Sequence, residues 1–170
     1  MTSLEKFAKI VIAGDGGVGK STLVKRYVEG KYIEQKMTPG ITFEVKRVPF
    51  NDSTVVLTIA DVGGEHQFRF MLPMWVKGSE MMLLTFDITR FDTFANLRNW
   101  LEEIRKLDTR IPIVLVGTKK DNEKQRQVDY KDALEFAHKE DILTYMEVSA
   151  KTGENVKELF EYIINLLIYN

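Results

Sequence analysis

Hydrophobic residues recur along the chain with two spacings, one typical of buried strands and one typical of amphipathic helices. Short, nearly continuous apolar runs predict six strands, at Phe7–Ala13, Ile41–Phe50, Val55–Asp61, Met81–Asp87, Ile111–Thr118 and Leu143–Val148. Apolar positions three or four residues apart predict four helices, over Ser21–Glu29, Phe94–Leu107, Tyr130–Lys139 and Val156–Leu167. We expect Gly30 to end the first helix, and Asp92 or Thr93 to cap the second.

The order of these elements predicts an α/β fold. Asn51–Ser53 is a short turn-forming sequence, so the second and third strands should form an antiparallel hairpin. The other strands alternate with helices, which is typical of a mostly parallel sheet covered on both faces. We therefore predict one domain over residues 1–170, with six strands of which one is antiparallel and hairpin-linked. The apolar last helix could bind a membrane or a partner, but packing against the sheet is the favoured interpretation.

The first strand runs directly into a glycine-rich segment, Gly14-Asp15-Gly16-Gly17-Val18-Gly19-Lys20-Ser21, which Thr22 follows. Glycine lets a backbone turn tightly and point successive N–H groups at an anion. Lys20 would supply charge to terminal phosphates, and the Ser21 hydroxyl is a suitable oxygen ligand for Mg²⁺. The following helix adds the positive end of its dipole. A flexible turn is the alternative, but the flanking strand and helix favour a phosphate-binding loop (P-loop) and the P-loop NTPase fold.

A second polar cluster, Asp61-Val62-Gly63-Gly64, follows the third strand. Asp61 could hold Mg²⁺ through a water molecule, and Gly64 could bring its N–H against a terminal phosphate because it has no side chain. Taken alone, these residues fit an ordinary glycine turn equally well. Ligands of α/β sheets bind at the carboxyl ends of strands, so the combination with the phosphate loop favours a shared site.

A third cluster, Thr118-Lys119-Lys120-Asp121, follows the fifth strand. The Asp121 carboxylate can accept both the N1–H and the N2 amine of guanine, whereas adenine has no such pair of donors. The stem of Lys119 can lie along the base. Past the last strand, Ser149-Ala150-Lys151 could supply a backbone N–H to guanine O6 and a second lysine near the base. A solvated run of charges is the alternative for the first of these segments.

Composition limits the remaining possibilities. The chain has 24 basic and 25 acidic residues and a formal charge of −1, so nothing in its net charge favours nucleic acid or anionic lipid. It has no cysteine, which fits a reducing compartment and leaves no prenylation site, and Met1 is not followed by the glycine that myristoylation needs. We expect a monomeric cytoplasmic protein without a direct lipid anchor.

These motifs together resemble those of the Ras superfamily of small GTPases, and the chain is most similar to the Rab branch. Beyond the four segments already described, the resemblance rests on Gln67-Phe68-Arg69, Gly78, Phe86-Asp87-Ile88-Thr89 and Trp100-Leu101-Glu102-Glu103-Ile104. It implies a molecular switch that binds GTP and GDP with Mg²⁺ and hydrolyses GTP, slowly without an activating partner. It also implies protein effectors and exchange factors that bind switch regions near residues 34–43 and 61–76.

The resemblance assigns a set of site residues. Tyr32 would pack against guanine, and Thr38 would ligate Mg²⁺ when a γ-phosphate is present, with Thr42 as the fallback. The metal set is then Ser21, Thr38 and, through water, Asp61, and the catalytic set is Lys20, Thr38, Gly64 and Glu65. The nucleotide-binding set is Gly14, Asp15, Gly16, Gly17, Val18, Gly19, Lys20, Ser21, Thr22, Tyr32, Thr38, Gly64, Thr118, Lys119, Asp121, Ser149, Ala150 and Lys151.

Three positions depart from the family pattern. Glu65 stands where Gln is usual, and a carboxylate can accept a hydrogen bond from water but cannot donate toward phosphate. Thr118 replaces an Asn, and Ala60 replaces a Trp of the effector surface. His66 is interpreted as a surface residue, and no arginine is obviously placed to act in cis. A module that holds GTP with little hydrolysis is therefore an alternative to the GTPase, and a small-molecule phosphotransferase is a third.

Overall fold

The computed structural model describes residues 4–108 and 110–169, with the side chain of Phe68 excepted. The strands are β1 (Leu4–Gly14), β2 (Ile41–Phe50), β3 (Ser53–Val62), β4 (Met81–Asp87), β5 (Ile113–Thr118) and β6 (Thr144–Glu147). The α-helices are α1 (Lys20–Glu29), α2 (Leu72–Val76), α3 (Phe91–Ala95), α4 (Leu97–Leu107), α5 (Tyr130–Lys139) and α6 (Val156–Tyr169). Two 3₁₀ segments, His66–Met71 and Lys120–Gln125, were not predicted.

All six strands belong to one sheet in the order β2-β3-β1-β4-β5-β6. Strands β2 and β3 pair antiparallel, with Phe50 opposite Ser53, and the other neighbouring strands pair in parallel. The predicted fold class is therefore confirmed. Because β1 and β3 to β6 run in the same direction, their carboxyl ends, and the loops that follow them, meet at one edge of the sheet.

Each face of the sheet has its own hydrophobic core. On one face α2 to α5 bury residues such as Leu72, Trp100 and Phe136, and on the other α1 and α6 bury Leu23 and Phe160. The last helix packs against the sheet, as predicted. Within the part of the chain that the structure describes, no helix is both long and apolar enough to cross a membrane.

The helix that was predicted up to Leu107 differs from expectation at its start. Residues 91–107 form α3 and α4, which meet at Asn96, and Arg90 occupies the N-cap position. Neither Asp92 nor Thr93 caps the helix, so this prediction was wrong. The Thr93 hydroxyl instead accepts from the backbone N–H of Asp87 at 3.0 Å and donates to the Arg90 carbonyl at 2.7 Å. A buried hydroxyl that joins β4 to α3 is thus unavailable as a cap.

The end of α1 is as predicted. Gly30 has a φ of +71°, in the left-handed region, and its N–H donates to the Arg26 carbonyl at 3.0 Å. This is the usual glycine C-cap, and it turns the chain toward the segment that precedes β2.

Candidate functional site

The segment between β1 and α1 forms a loop around the amino end of α1. Gly17 and Gly19 have φ values of +74° and +96°, which residues with a β-carbon rarely adopt. The loop leads directly into α1, whose first residue is Lys20. The loop therefore has the conformation that a phosphate-binding loop requires, with a helix N-terminus behind it.

Lys20 is nearly buried at the centre of this loop, with 6% of its surface exposed. Its ammonium donates to the carbonyls of Gly14 and Asp15, both at 2.9 Å. Burial lowers the pKa of Lys20 to about 8, while the negative charge of Asp61 opposes this shift. A buried ammonium held by neutral carbonyls is a favourable partner for a phosphate oxygen, whose negative charge would raise the pKa of Lys20 again.

Oxygen atoms from three separate segments meet beside Lys20. The hydroxyl oxygens of Ser21 and Thr38 lie 2.5 Å apart, and the Ser21 hydroxyl also contacts Asp61 Oδ2. Asp61 is 1% exposed, and its Oδ1 has no hydrogen-bond partner among the described residues. Burial raises the pKa of this carboxyl, against the effect of the Ser21 contact. The group, which we call the oxygen cluster (Ser21, Thr38, Asp61), thus has an unsatisfied carboxylate oxygen.

This donor set fits a hard divalent cation. Two hydroxyls and a carboxylate are oxygen ligands of the kind Mg²⁺ prefers, and a cation would satisfy the orphaned Oδ1. The described residues contain no group of three or more His, Cys, Asp or Glu that could hold a metal. Thr42, the fallback for Thr38, lies in β2 opposite Asp61 and lines a cavity that also contains Ser21, Thr38 and Asp61.

The segment after β3 packs closely against the phosphate loop. The N–H of Gly63 donates to the Gly40 carbonyl at 2.6 Å, which joins the segment before β2 to the segment after β3. A β-carbon on Gly64 would overlap the backbone of Gly14–Gly16. Gly64 therefore needs to be glycine for this close approach. Glu65 lines the same cavity as Lys20 and Thr38, whereas His66 is exposed, as predicted.

A second cavity of about 400 Å³ continues from the phosphate loop toward the ends of β5 and β6. It shares Gly17, Gly19, Thr22 and Gln35 with the first cavity. Its other lining residues include Val18, Tyr32, Thr118, Lys119, Asp121, Ala150 and Lys151. The two cavities form one groove. Lys20, Ser21 and Thr38 lie at one end, and the Asp121 carboxylate lies at the other.

Side-chain contacts fix the far end of this groove. The Ser149 hydroxyl donates to Asp121 at 2.7 Å, while the Ser149 N–H donates to the Glu154 carbonyl at 3.0 Å. Ser149 therefore orients Asp121, and its own N–H is engaged within the protein. The Thr118 hydroxyl lies 2.5 Å from the Val18 carbonyl and 3.0 Å from the Phe86 carbonyl. Thr118 thus tethers the phosphate loop to β5, although one hydroxyl can donate to only one carbonyl at a time.

The Lys119 side chain reaches back toward the phosphate loop. Its ammonium forms an ion pair with buried Asp87 at 2.7 Å and donates to the Gly17 carbonyl at 3.2 Å. With the head held in this way, the stem of Lys119 forms one wall of the groove. Asp87 is the last residue of β4. Because ligands of α/β sheets bind at the carboxyl ends of strands, the sequence could have identified Asp87 as a residue near the site.

The Asp15 side chain points away from the groove. Its Oδ1 accepts from Asn96 at 2.6 Å and from the Trp100 indole at 2.8 Å, and Arg69 lies 3.6 Å away. The Arg69 guanidinium also lies 4.4 Å from the centre of the Trp100 ring. We call these four residues the Asp15 cluster. It connects the phosphate loop to the 66–71 segment and to α4, and sequence reasoning missed it because its members lie far apart along the chain.

Arg90 is a further residue near the loop that the sequence did not indicate. Its guanidinium donates to the Gly16 carbonyl at 3.2 Å and forms an ion pair with Asp92 at 3.2 Å. Arg90 thus contacts the loop backbone, and it does not line the cavity that contains Lys20.

The sheet order, the loop after β1 and the groove together define a P-loop nucleotide-binding protein. A sequence profile of the Ras family matches residues 9–169. Because this match spans nearly the whole chain, the protein belongs to the Ras family of small GTP-binding switch proteins. Members of this family bind GTP and GDP with Mg²⁺, hydrolyse GTP and bind effector proteins.

Proposed function

We propose that this protein is a Mg²⁺-dependent GTPase switch of the Rab-like type, with switch regions near residues 34–43 and 61–76. The observation that carries the proposal is the oxygen cluster. It brings Thr38 of the first region and Asp61 of the second together on Ser21 of the phosphate loop. Two segments that meet at one metal-binding position can be ordered by a γ-phosphate and released on hydrolysis.

In this proposal the groove holds the nucleotide along its length. Gly14 to Thr22 surround the phosphates with backbone N–H groups, and Lys20 exchanges its carbonyl partners for phosphate oxygens. Thr118, Lys119, Asp121, Ser149, Ala150 and Lys151 form the guanine end, where Tyr32, 41% exposed, lies at the rim. Asp15 contributes its backbone alone, since its carboxylate is engaged by the Asp15 cluster.

The metal ion would be held by Ser21, by Thr38 and, through water, by Asp61, and when bound it would neutralise charge on the β- and γ-phosphates. The N–H of Gly64 would donate a hydrogen bond to the γ-phosphate, because Gly64 lies against the phosphate loop. Glu65 would orient the attacking water by accepting a hydrogen bond from it. Loss of this acceptor in Glu65→Ala should slow hydrolysis.

The alternative is a module that holds GTP with little turnover. It is favoured by one observation, the carboxylate of Glu65 in the cavity that would receive the γ-phosphate. A carboxylate beside the γ-phosphate would repel the negative charge that builds up during phosphoryl transfer, and hydrolysis would be slow. Single-turnover hydrolysis with Mg²⁺ separates the two functions. Conversion of bound GTP to GDP within an hour supports the GTPase, and GTP retained over many hours supports the binding module.

Guanine selectivity gives a separate test of the base end. Asp121→Asn replaces one of the two acceptor oxygens of the carboxylate with an NH2 donor. Nucleotide preference should therefore move from guanine toward xanthine, which has an oxygen acceptor in place of the guanine N2 amine. A competition assay against a fluorescent nucleotide measures this. Asp108→Asn, outside the groove, is a matched control and should leave selectivity unchanged. Unchanged selectivity in Asp121→Asn would remove Asp121 from the base site.

An aromatic pair made of exposed Phe43 and partly buried Trp75 supports a protein-binding role for the switch regions. Phe43, 45% exposed in β2, packs edge-on against Trp75 of α2, with ring centres 4.7 Å apart. Both residues match the aromatic positions of the Rab effector surface, whereas Ala60 in β3 is buried and cannot extend it. We propose that effectors bind this pair, and that an activating protein supplies an arginine in trans.

A further inference from the structure

Glu65 lies where the attacking water would be oriented, but it lacks a donor. Its side chain passes over the phosphate loop, with Cγ 3.9 Å from the position a β-carbon on Gly16 would occupy. A carboxylate there accepts hydrogen bonds and adds a negative charge beside the γ-phosphate. If hydrolysis is to proceed through this flexible side chain, another group is needed to hold it in place.

The side-chain amide of Gln67 provides such a contact. Its Nε2 donates to Glu65 Oε2 at 2.6 Å, across two residues of the chain. This hydrogen bond fixes one carboxylate oxygen and leaves the other free to accept from water. A hydrogen bond to a charged group is among the stronger ones in proteins, because the donor also disperses part of the charge.

The backbone that carries Gln67 is itself anchored. Gln67 belongs to the 3₁₀ segment His66–Met71, and Arg69 of the same segment is held in the Asp15 cluster. In that cluster Asp15 also accepts from Asn96 and Trp100, and Trp100 is fully buried. The segment is therefore tied to the phosphate loop two residues beyond Gln67. The Glu65–Gln67 contact itself lies at the protein surface, beside this anchored segment.

We propose that Gln67 is a positioning residue for GTP hydrolysis, which acts through Glu65 by holding its carboxylate with the Gln67 side-chain amide. The inference rests on the proposed GTPase function. The reaction forms a bond from the water oxygen to the γ-phosphorus as the bond to the bridging oxygen breaks; the bonding electron pair leaves on GDP, and inorganic phosphate keeps both protons of the water. Glu65 accepts from the water, and Gln67 keeps the Glu65 carboxylate in place.

A double-mutant cycle between positions 65 and 67 tests this role. In the full chain loaded with GTP and Mg²⁺, Gln67→Ala should lower the single-turnover rate roughly tenfold, the effect of losing one hydrogen bond to a charged group. In the Glu65→Gln background the carboxylate that Gln67 holds is absent, so the same change should alter the rate less than about twofold. Within each background, Gln67→Ala should leave nucleotide affinity unchanged, since Gln67 contacts Glu65 and does not line the cavity.

His66→Ala is the matched control, because His66 is an exposed residue of the same segment. It should hydrolyse GTP at the parent rate. An equal loss in His66→Ala, or an equal loss from Gln67→Ala in both backgrounds, would show that the segment was merely disturbed, and would overturn the inference. Thermal unfolding of each variant checks that the fold is retained.

The outcomes also separate this inference from the function on which it rests. If the parent binds GTP but does not convert it, the GTPase function fails. If Glu65→Ala is slow while Gln67→Ala matches the parent, the GTPase stands and the role of Gln67 is wrong. If Gln67→Ala is slow in the parent background alone, both stand.

Discussion

The Lys20 ammonium is buried against two carbonyls, and the resulting pKa of about 8 predicts a proton linkage. In the nucleotide-free protein Lys20 is largely neutral above pH 8, whereas in the unfolded chain it stays charged up to its ordinary pKa of 10.5. Because the unfolded state then binds more protons, the stability of the nucleotide-free protein should rise between about pH 8 and 10.5. Bound phosphates restore the charge, so binding should take up a proton.

Calorimetry of GDP binding at pH 9 in buffers of different ionisation enthalpy measures this uptake. We expect a value approaching one proton for the parent and none for Lys20→Met. Lys25→Met is a suitable control, since Lys25 pairs with Glu44 outside the groove and should leave the uptake intact. Absence of uptake in the parent would mean that the ammonium keeps its charge without nucleotide.

Single residues were predictable where chemistry depends on local backbone. Glycines with left-handed φ values follow from the loop sequence, and Asp121 follows from its place after β5. Contacts between residues distant in sequence were not predictable in this way. Asp15 looked like a groove residue, but its carboxylate is held by Arg69, Asn96 and Trp100, which only the fold brings to it.

Among the elements, the contact between the Gly64 segment and the phosphate loop should set the preference for GTP. A β-carbon in Gly64→Ala would overlap the loop backbone, so the segment after β3 must move away. Its N–H would then lose a hydrogen bond to a charged phosphate, worth about 1.5–3 kcal/mol. We expect GTP affinity to fall about 10- to 100-fold while GDP affinity changes little, measured by competition with a fluorescent nucleotide.

Gly78→Ala separates this effect from backbone strain. Gly78 has a φ of +82° with open space around it, so alanine there is strained without touching the phosphate loop. It should lower the free energy of unfolding and leave the preference between GTP and GDP unchanged. If Gly64→Ala disrupted the whole phosphate loop, the affinities for GTP and GDP would fall together. Retained GDP affinity excludes that explanation.

Helices and strands with long apolar patterns were predicted well, because burial against a sheet imposes the spacing. The three short elements at 66–71, 72–76 and 120–125 were missed. A segment of five or six residues has too few turns to show a helical period, and His66–Met71 is stabilised by the Asp15 cluster. Two of the three missed elements border the candidate site, since 66–71 follows directly after Glu65 and 120–125 contains Asp121.

At the scale of the molecule, the sheet order explains why one site can join both switch regions. Strand β3 lies between β1 and β2, so the segments after β3 and before β2 both reach the loop that follows β1. The alternation of strands and helices was enough to predict a parallel sheet, and the hairpin at 51–53 was enough to place the antiparallel strand. The side-by-side order of the strands needed the structure.

The same arrangement predicts how nucleotide and metal stabilise the whole fold. The groove draws residues from the loop after β1, from α1, from the end of β5 and from the loop after β6, so a ligand that spans it should oppose global unfolding. At a free concentration 1,000-fold above Kd, a ligand adds about 4 kcal/mol. For a domain of this size, that corresponds to a rise in Tm of roughly 8–16 °C.

Thermal unfolding with GDP and Mg²⁺ should therefore show a rise of this size, whereas ATP at the same concentration should leave Tm nearly unchanged, because Asp121 has no donor pair to accept from adenine. Chelation of Mg²⁺ should remove part of the GDP effect, and Ser21→Ala should remove the same part without added chelator, since both disable the oxygen cluster. Equal rises with ATP and GDP would show that stabilisation comes from the phosphates alone. The base end of the groove would then lack the selectivity that the Ser149–Asp121 contact is proposed to give it.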